Sequence, residues 1–275
     1  MGERNKMNKV RKTLAPTGER IKEYLKEGKR FDGRTPLEFR EISIEKDVSS
    51  KAEGSVRVRI GKTEVLVGVK MNVSEPYPDS PNKGNLMVTA EMLPLSSPRF
   101  ESGPPRFTAI ELGRVTDRGL RESGFIDLEK LCIEEGKKVW TLFVDVYSIN
   151  DDGNLMDAAT VGAIAALKIA KIPKYDKKEE KVLFDEHTDE SVPLTDIIPV
   201  AISVHKIGSS LVVDPTREEE DLSESRVTIT SNKGIISSLQ KSESTALDAD
   251  EMKKIFEIAA GVSEKILKEI EKKIE

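Results

Sequence analysis

Gly54-Ser55-Val56-Arg57-Val58-Arg59-Ile60-Gly61-Lys62-Thr63-Glu64-Val65 alternates polar and apolar residues strictly from Ser55 to Ile60. It breaks at Gly61-Lys62 and resumes toward Val69. A period of two sends successive side chains to opposite faces, so this segment is a strand with one buried and one wet face. The Gly-Lys break between two such runs predicts a β-hairpin. Working outward, the same reading predicts strands over 40–48, 86–93, 138–149, 201–206 and 209–214, and a second hairpin over 226–230 and 233–238. A helix over 17–28 starts at Thr17 and ends at Gly28, with Ile21, Tyr24 and Leu25 on one face. Helices follow over 107–122, with Ile110, Val115 and Leu120 apolar, and over 158–169, whose Ala-rich composition marks it as buried. The last, over 248–273, places Met252, Phe256, Ala259, Val262, Ile266 and Ile270 on one face.

Strands followed by a helix, twice over, predict an α+β protein of two βα lobes with a long C-terminal helix. The expected organisation is an N-terminal extension and helix (1–30), a first lobe (31–172), a charged connector (173–192) and a second lobe with the C-terminal helix (193–275).

Composition narrows the function classes. The chain has 275 residues, 37% hydrophobic and 34% charged, with a net charge of -5. That apolar share supports a core, and the acidic balance argues against a generally basic nucleic-acid binder. Charge is uneven, however: residues 1–34 hold eleven Lys/Arg against five Asp/Glu. A local basic surface can still bind a phosphate backbone. The single cysteine, Cys132, lies in the apolar run Leu131-Cys132-Ile133, excludes an internal disulfide and reads as a small buried hydrophobe. Two separated histidines, His187 and His205, disfavour a His/Cys metal site or a Ser-His-Asp hydrolase. No apolar stretch reaches membrane-spanning length, and the basic N-terminus has no hydrophobic core of a signal peptide. The expectation is a soluble cytoplasmic protein.

Three segments in this order carry a resemblance. They are Arg30-x-Asp32-Gly33-Arg34 with Arg40, the hairpin Gly54-Ser55-Val56…Gly61-x-Thr63-x-Val65, and Glu111-Leu112-Gly113-Arg114-Val115-Thr116-Asp117-Arg118-Gly119-Leu120-Arg121. Together the chain resembles the RNase PH family over about residues 17–265. Within it, Leu93 to Pro105 and Val213-Asp214-Pro215-Thr216-x-x-Glu219-Glu220 look most like the non-catalytic ring subunit of the archaeal exosome. The resemblance implies an RNase PH-like fold with ribosomal protein S5 domain 2-like lobes. It implies phosphate-dependent 3′-to-5′ RNA shortening by a hexameric ring of three heterodimers. The partners implied are a catalytic homologue, RNA-binding cap subunits and single-stranded RNA. No cofactor or metal is expected.

Set against the chemistry, the resemblance is selective. Active members carry a Gly-Gly/Ser-Thr/Ser-Arg-like turn before the buried helix. Here it is Asp152-Gly153-Asn154-Leu155-Met156-Asp157, without the hydroxyls and Arg, and the charges of Asp152 and Asp157 oppose an anion. Active members also carry two Asp six residues apart, where this chain has Glu220 and Arg226. An arginine stays charged and cannot serve as a general acid. The run Glu218-Glu219-Glu220-Asp221 reads as a solvated face rather than a metal site. No catalytic residue is therefore assigned. The alternative is a chain that is itself a phosphorolytic exoribonuclease with Glu220 as the acid. What survives is RNA contact: Arg114, Arg118 and Arg121 fall at i, i+4 and i+7 on one helix face, where the guanidinium fork suits phosphate. Arg106 and Arg99, on the Pro-rich loop 94–105 or next to it, are further candidates. Aromatic residues are sparse, so binding is expected to follow the backbone and ignore sequence.

Overall fold

The computed structural model describes residues 15–176 and 178–274. The hairpin that opens the reading is β2 (Gly54–Ile60) with β3 (Thr63–Ser74), antiparallel with Ile60 opposite Thr63. Its alternation is realised as burial: Val56, Val58, Ile60, Val65, Val67, Val69 and Met71 are fully buried. β3 runs five residues past the expected Val69, because its whole length pairs with β6 (Lys138–Asn150). The six-stranded sheet has the order β1 (Ile42–Lys46), β2, β3, β6, β4 (Asn85–Met92), with the short β5 (Cys132–Glu134) also on β6. Only β4 runs parallel to its neighbour, β6, in this sheet. Cys132 is half-buried on β5 rather than fully enclosed.

Residues of the expected charged connector form an ordered hairpin, β7 (Lys171–Asp176) with β8 (Lys181–Ser191). Its charges pair with one another, as in Lys174 Nζ to Glu186 Oε2 at 2.8 Å, which gives a charge-rich segment a reason to fold as strands. The second sheet has the order β10 (Ser210–Val213), β9 (Val200–Ile207), β11 (Ser225–Asn232), β12 (Ile235–Ser242).

Among the described residues five α-helices hold the sheets. α1 (Ala15–Lys26) packs Ile21 and Leu25 on Ile207 and Val212, so it belongs with the second sheet. Tyr24, expected on that face, is instead exposed and meets Phe31 edge-on at 4.8 Å. The basic residues 1–14 lie outside the described residues. α2 (Phe107–Glu122) covers the free edge of β4: a Cβ on Gly113 would sit 3.2 Å from Val88 O, and Arg121 Nη2 donates to Leu86 O at 2.7 Å. Its Gly119 meets Thr230 of β11, so the helix touches both sheets. An otherwise open sheet edge is thereby closed.

α3 (Leu155–Ile169) is buried from Leu155 to Leu167 and starts three residues before the expected 158. Small residues let it approach closely; a Cβ on Gly162 would lie 2.5 Å from Val67 Cγ2. α4 is the single turn Arg217–Glu220. α5 (Ala249–Ile274) buries Ile255, Ala259, Val262, Ile266, Leu267 and Ile270, while Phe256, expected inward, is one residue off that stripe and partly exposed. Its end docks on β1, where Lys273 Nζ donates to Ile42 O and Lys46 Nζ donates to Ile274 O. One apolar cluster therefore runs through both lobes.

Two buried carboxylates join the parts. Asp214 accepts from Arg40 Nη2 at 2.7 Å and Nε at 2.9 Å, from Arg34 Nη1 at 2.8 Å and from Asn154 Nδ2 at 2.9 Å. Burial raises its pKa, but the hydrogen bonds and charge of Arg40 outweigh that and hold it below 3.8. Asp157, whose charge was expected at the turn, instead points inward to Ser203, accepting from its N–H at 3.1 Å and its hydroxyl at 2.8 Å. It fastens the first turn of α3 to β9, and burial pushes its pKa up to about 7.

Removing the Asp214 carboxylate takes from Arg34 and Arg40 their one fully buried partner, leaving each guanidinium only a more exposed carboxylate, Asp32 or Asp152. Asp214→Ala is expected to cost about 3–5 kcal/mol in chemical denaturation. Asp157 acts in the opposite sense to Asp214. Because the fold binds its proton more tightly than the unfolded chain does, its contribution is full below pH 3.8 and lost as pH rises toward 7. Asp157→Asn should flatten the stability–pH curve across that window and gain on the parent protein as pH rises, measured by urea midpoints at each pH.

Candidate nucleic-acid interface

The turn from β6 into α3 is where an anion site would form. A helix N-terminus offers unpaired N–H groups and a positive dipole end. Gly153 (φ +86°) and Asn154 (φ +60°) are both left-handed, which aims the chain sharply into α3. In this chain the place is taken from within. Glu220 Oε2 accepts the Asn154 N–H at 2.9 Å. Arg217 lies 3.2 Å from that same carboxylate oxygen and 3.2 Å from Asp151. The segment after Asp214 lies directly on the turn, since a Cβ on Gly153 would meet Pro215 O at 2.5 Å. From the other side, Arg40 donates to Asp152 O at 2.9 Å and Gly153 O at 3.1 Å, and Thr63 Oγ1 donates to Gly153 O at 2.6 Å.

The acidic run 218–221 is therefore not a solvated face, apart from the exposed Glu218. Glu219 is buried against Arg30, whose Nε donates to Oε1 at 2.9 Å. Asp221 pairs with Arg217 at 3.0 Å and with Arg99. Arg99, a candidate for RNA contact, is thus engaged by the second lobe. Its partner lies 122 residues away, so local reading could not find it. A legible signal was present in Thr216-x-x-Glu219, the spacing of a helix capping box; the Thr216 N–H donates to Glu219 Oε2 at 2.8 Å.

Arg226, which the resemblance set at the place of an acid in active members, forms an ion pair with Glu111 of α2 at 2.7 Å. His205, opposite it on β9, is buried, and burial together with the Arg226 charge holds its pKa well below 6.5. Among the described residues no three His, Cys, Asp or Glu side chains converge as a metal site.

The arginines of α2 separate into two kinds. Arg114, Arg118 and Arg121 line one groove of about 340 Å³ with Met87, Val88, Thr89, Asp117 and Glu122. Arg121 is committed: it donates to Asp117 at 2.7 and 3.1 Å and to Leu86 O. Arg114 is exposed with no hydrogen-bond or ion-pair partner among the described residues, and Arg118 reaches only Gln240 Oε1 at 3.5 Å. Arg106 stands exposed at the start of α2, paired with Glu101. Phe107 and Ile110 continue the outward face of α2 at 77% and 50% exposure. The result is an open cationic face carried on a helix that both sheets fix.

Comparison with known proteins agrees with this architecture. Residues 38–173 match the 3′ exoribonuclease family, domain 1, and residues 198–262 match its domain 2. The chain is 49% identical over 234 residues to the exosome complex component Rrp42 of Methanocella arvoryzae, covering 85% of this chain and 87% of that one. It is 46% identical over 254 residues to the component of the same name from Thermococcus onnurineus, covering 90% and 92%. Among solved structures, a chain of the Archaeoglobus fulgidus exosome with RNA bound to the active site superposes with a TM-score of 0.86 at 41% identity, covering 94% of this chain and 98% of that one. With both halves matched in order and the relatives aligned nearly end to end, the chain belongs to the 3′ exoribonuclease family of RNase PH-like proteins.

Proposed function

We propose that this chain is a non-catalytic ring subunit of an archaeal-type exosome, alternating with a catalytic RNase PH-like homologue in a hexameric ring of three heterodimers. The observation that carries the reading is the internal closure of the anion position: Glu220 accepts the N–H at the start of α3 that a phosphate would need. Phosphorolysis requires an inorganic phosphate held in line with the RNA 3′ end. A carboxylate already seated at that helix end opposes a second anion by occupancy and by charge. Arg226 cannot replace the missing acid, since it stays protonated and is engaged by Glu111. The alternative, that Glu220 is itself the acid of an independent exoribonuclease, is disfavoured by the same geometry: its carboxylate is held between Arg217 and the Asn154 N–H.

The role that remains is to hold RNA for the partner's active site. Arg114 and Arg118 offer unspent guanidinium groups on a rigid helix, suited to phosphates of any sequence. Arg121 supports them by locking Asp117 and the β4 edge, and Arg106 extends the charge toward the Pro-rich loop. RNA-binding cap subunits complete the assembly in this reading.

The purified chain alone should release no nucleoside diphosphate from poly(A) and phosphate, whereas a mixture with the catalytic homologue should. In that mixture Arg114→Ala with Arg118→Ala should lower the slope of log affinity against log salt by about 1.4, for two lost single-strand phosphate contacts. Light scattering should show the assembly unchanged. Robust release by the lone chain, or an unaltered salt slope, would contradict the reading.

A further inference from the structure

The second lobe reaches α2 through a semi-buried ionic node. Arg226 on β11 and Ser242 on β12 are directly opposite in register. Both converge on Glu111: Arg226 Nη2 lies 2.7 Å from its carboxylate, and the Ser242 hydroxyl donates to the same oxygen. Arg226 also donates to Ser242 Oγ at 3.0 Å, closing a triangle. The Arg226 and Glu111 side chains are only 14% and 10% exposed, so water screens the pair weakly. Glu111 stands seven residues before Arg118 and three before Arg114. Seven residues are nearly two full turns, so Glu111 and Arg118 lie on one stripe of α2. Two turns further along that stripe, the same β11–β12 hairpin meets the helix again, through Gln240 Oε1 to Arg118 Nη1 at 3.5 Å.

We propose that Arg226, acting through Glu111, is a positioning residue for the RNA-contacting face of α2. This inference rests on the proposed function, in which Arg114 and Arg118 hold RNA. The residue that the resemblance set at the place of an acid thus serves the neighbouring site by setting the rotation of α2 about its axis. Gly119 lies against Thr230 with almost no clearance, a Cβ there meeting Thr230 Oγ1 at 3.0 Å. Thr230 lies on the same strand as Arg226, so α2 is seated on β11 at two points, the close packing of Gly119 and the ionic Arg226–Glu111 pair, and losing the pair leaves only the Gly119 contact to resist a roll of the helix. A few degrees of roll displace a long guanidinium at the helix surface by more than the tolerance of a forked phosphate contact.

The test is a double-mutant cycle in the complex reconstituted with its catalytic homologue, read as RNA affinity and as KM against kcat for poly(A) phosphorolysis. Arg226→Met should weaken RNA binding on the order of fivefold and raise KM with kcat unchanged. Glu111→Gln should act in the same direction. Arg226→Lys, which keeps the charge, should restore most of the affinity. In an Arg114→Ala, Arg118→Ala background, Arg226→Met should add nothing, because the contact it positions is gone. Thermal midpoints and light scattering of each complex confirm folding and assembly, and the surface variant Gln240→Ala gives a milder change of the same kind if Arg226→Met assembles poorly. The proposal is overturned if Arg226→Met leaves RNA affinity unchanged, or weakens it equally with and without the two arginines. If the two arginine substitutions themselves have no effect, the RNA-holding reading falls and this inference with it.

Discussion

Everything in the molecule hangs on one buried carboxylate. Asp214 sits at the end of β10 and is clasped by Arg40, Arg34 and Asn154, so three segments from residues 34–40, 152–154 and 214–220 must meet in one arrangement. A buried charge is tolerated only with full pairing, which makes the arrangement close to all-or-none. Its consequences spread outward. With Asp214 fixed, the following segment is laid across Gly153, α4 forms, and Glu220 arrives at the first N–H of α3. Arg30 then reaches Glu219 and the carbonyls of Val213 and Asp214, tying the N-terminal region to the second lobe. The fold is thus locked by ionic contacts at the turn into α3, where a helix N-terminus would otherwise offer its N–H groups to an anion.

The proposed division of labour, no phosphorolysis in this chain and RNA contact for a neighbour, rests on that lock. A phosphate site is a set of donors left vacant. Here the donor at the start of α3 is satisfied from within, and the arginines of this region, Arg40, Arg99 and Arg217, are all engaged by the chain's own carboxylates. On α2 the accounting differs. Arg121 is spent on structure, while Arg114 and Arg118 remain in an open groove. A subunit with a closed pocket and an open cationic helix is suited to completing a neighbour's site rather than running its own.

How much of this was legible depended on range. The β2–β3 hairpin, α2 and the C-terminal helix were readable because strand and helix periods are local properties, and α2 falls at the expected 107–122. The i, i+4, i+7 arginine spacing was equally visible. Which of those arginines is free was not, because that depends on Leu86 O, 35 residues away, and on Gln240, 122 residues away. The acidic run 218–221 looked like a solvated face for the same reason: its partners Arg30 and Arg99 lie 189 and 122 residues away along the chain. The β7–β8 hairpin was masked by its charge, whose cross-strand pairing only the register reveals. Phe256 and Tyr24 show the finer limit, where a stripe read one residue off turns an exposed ring into an apparent core residue.

The most direct measurement is a titration of inorganic phosphate into the isotope-labelled chain, followed at the backbone amides of Asn154 and Leu155. A closed anion position predicts no saturable shift at phosphate concentrations that saturate a phosphorolytic homologue. A saturable shift at those two amides would mean that Glu220 yields the site to phosphate, and would contradict the account.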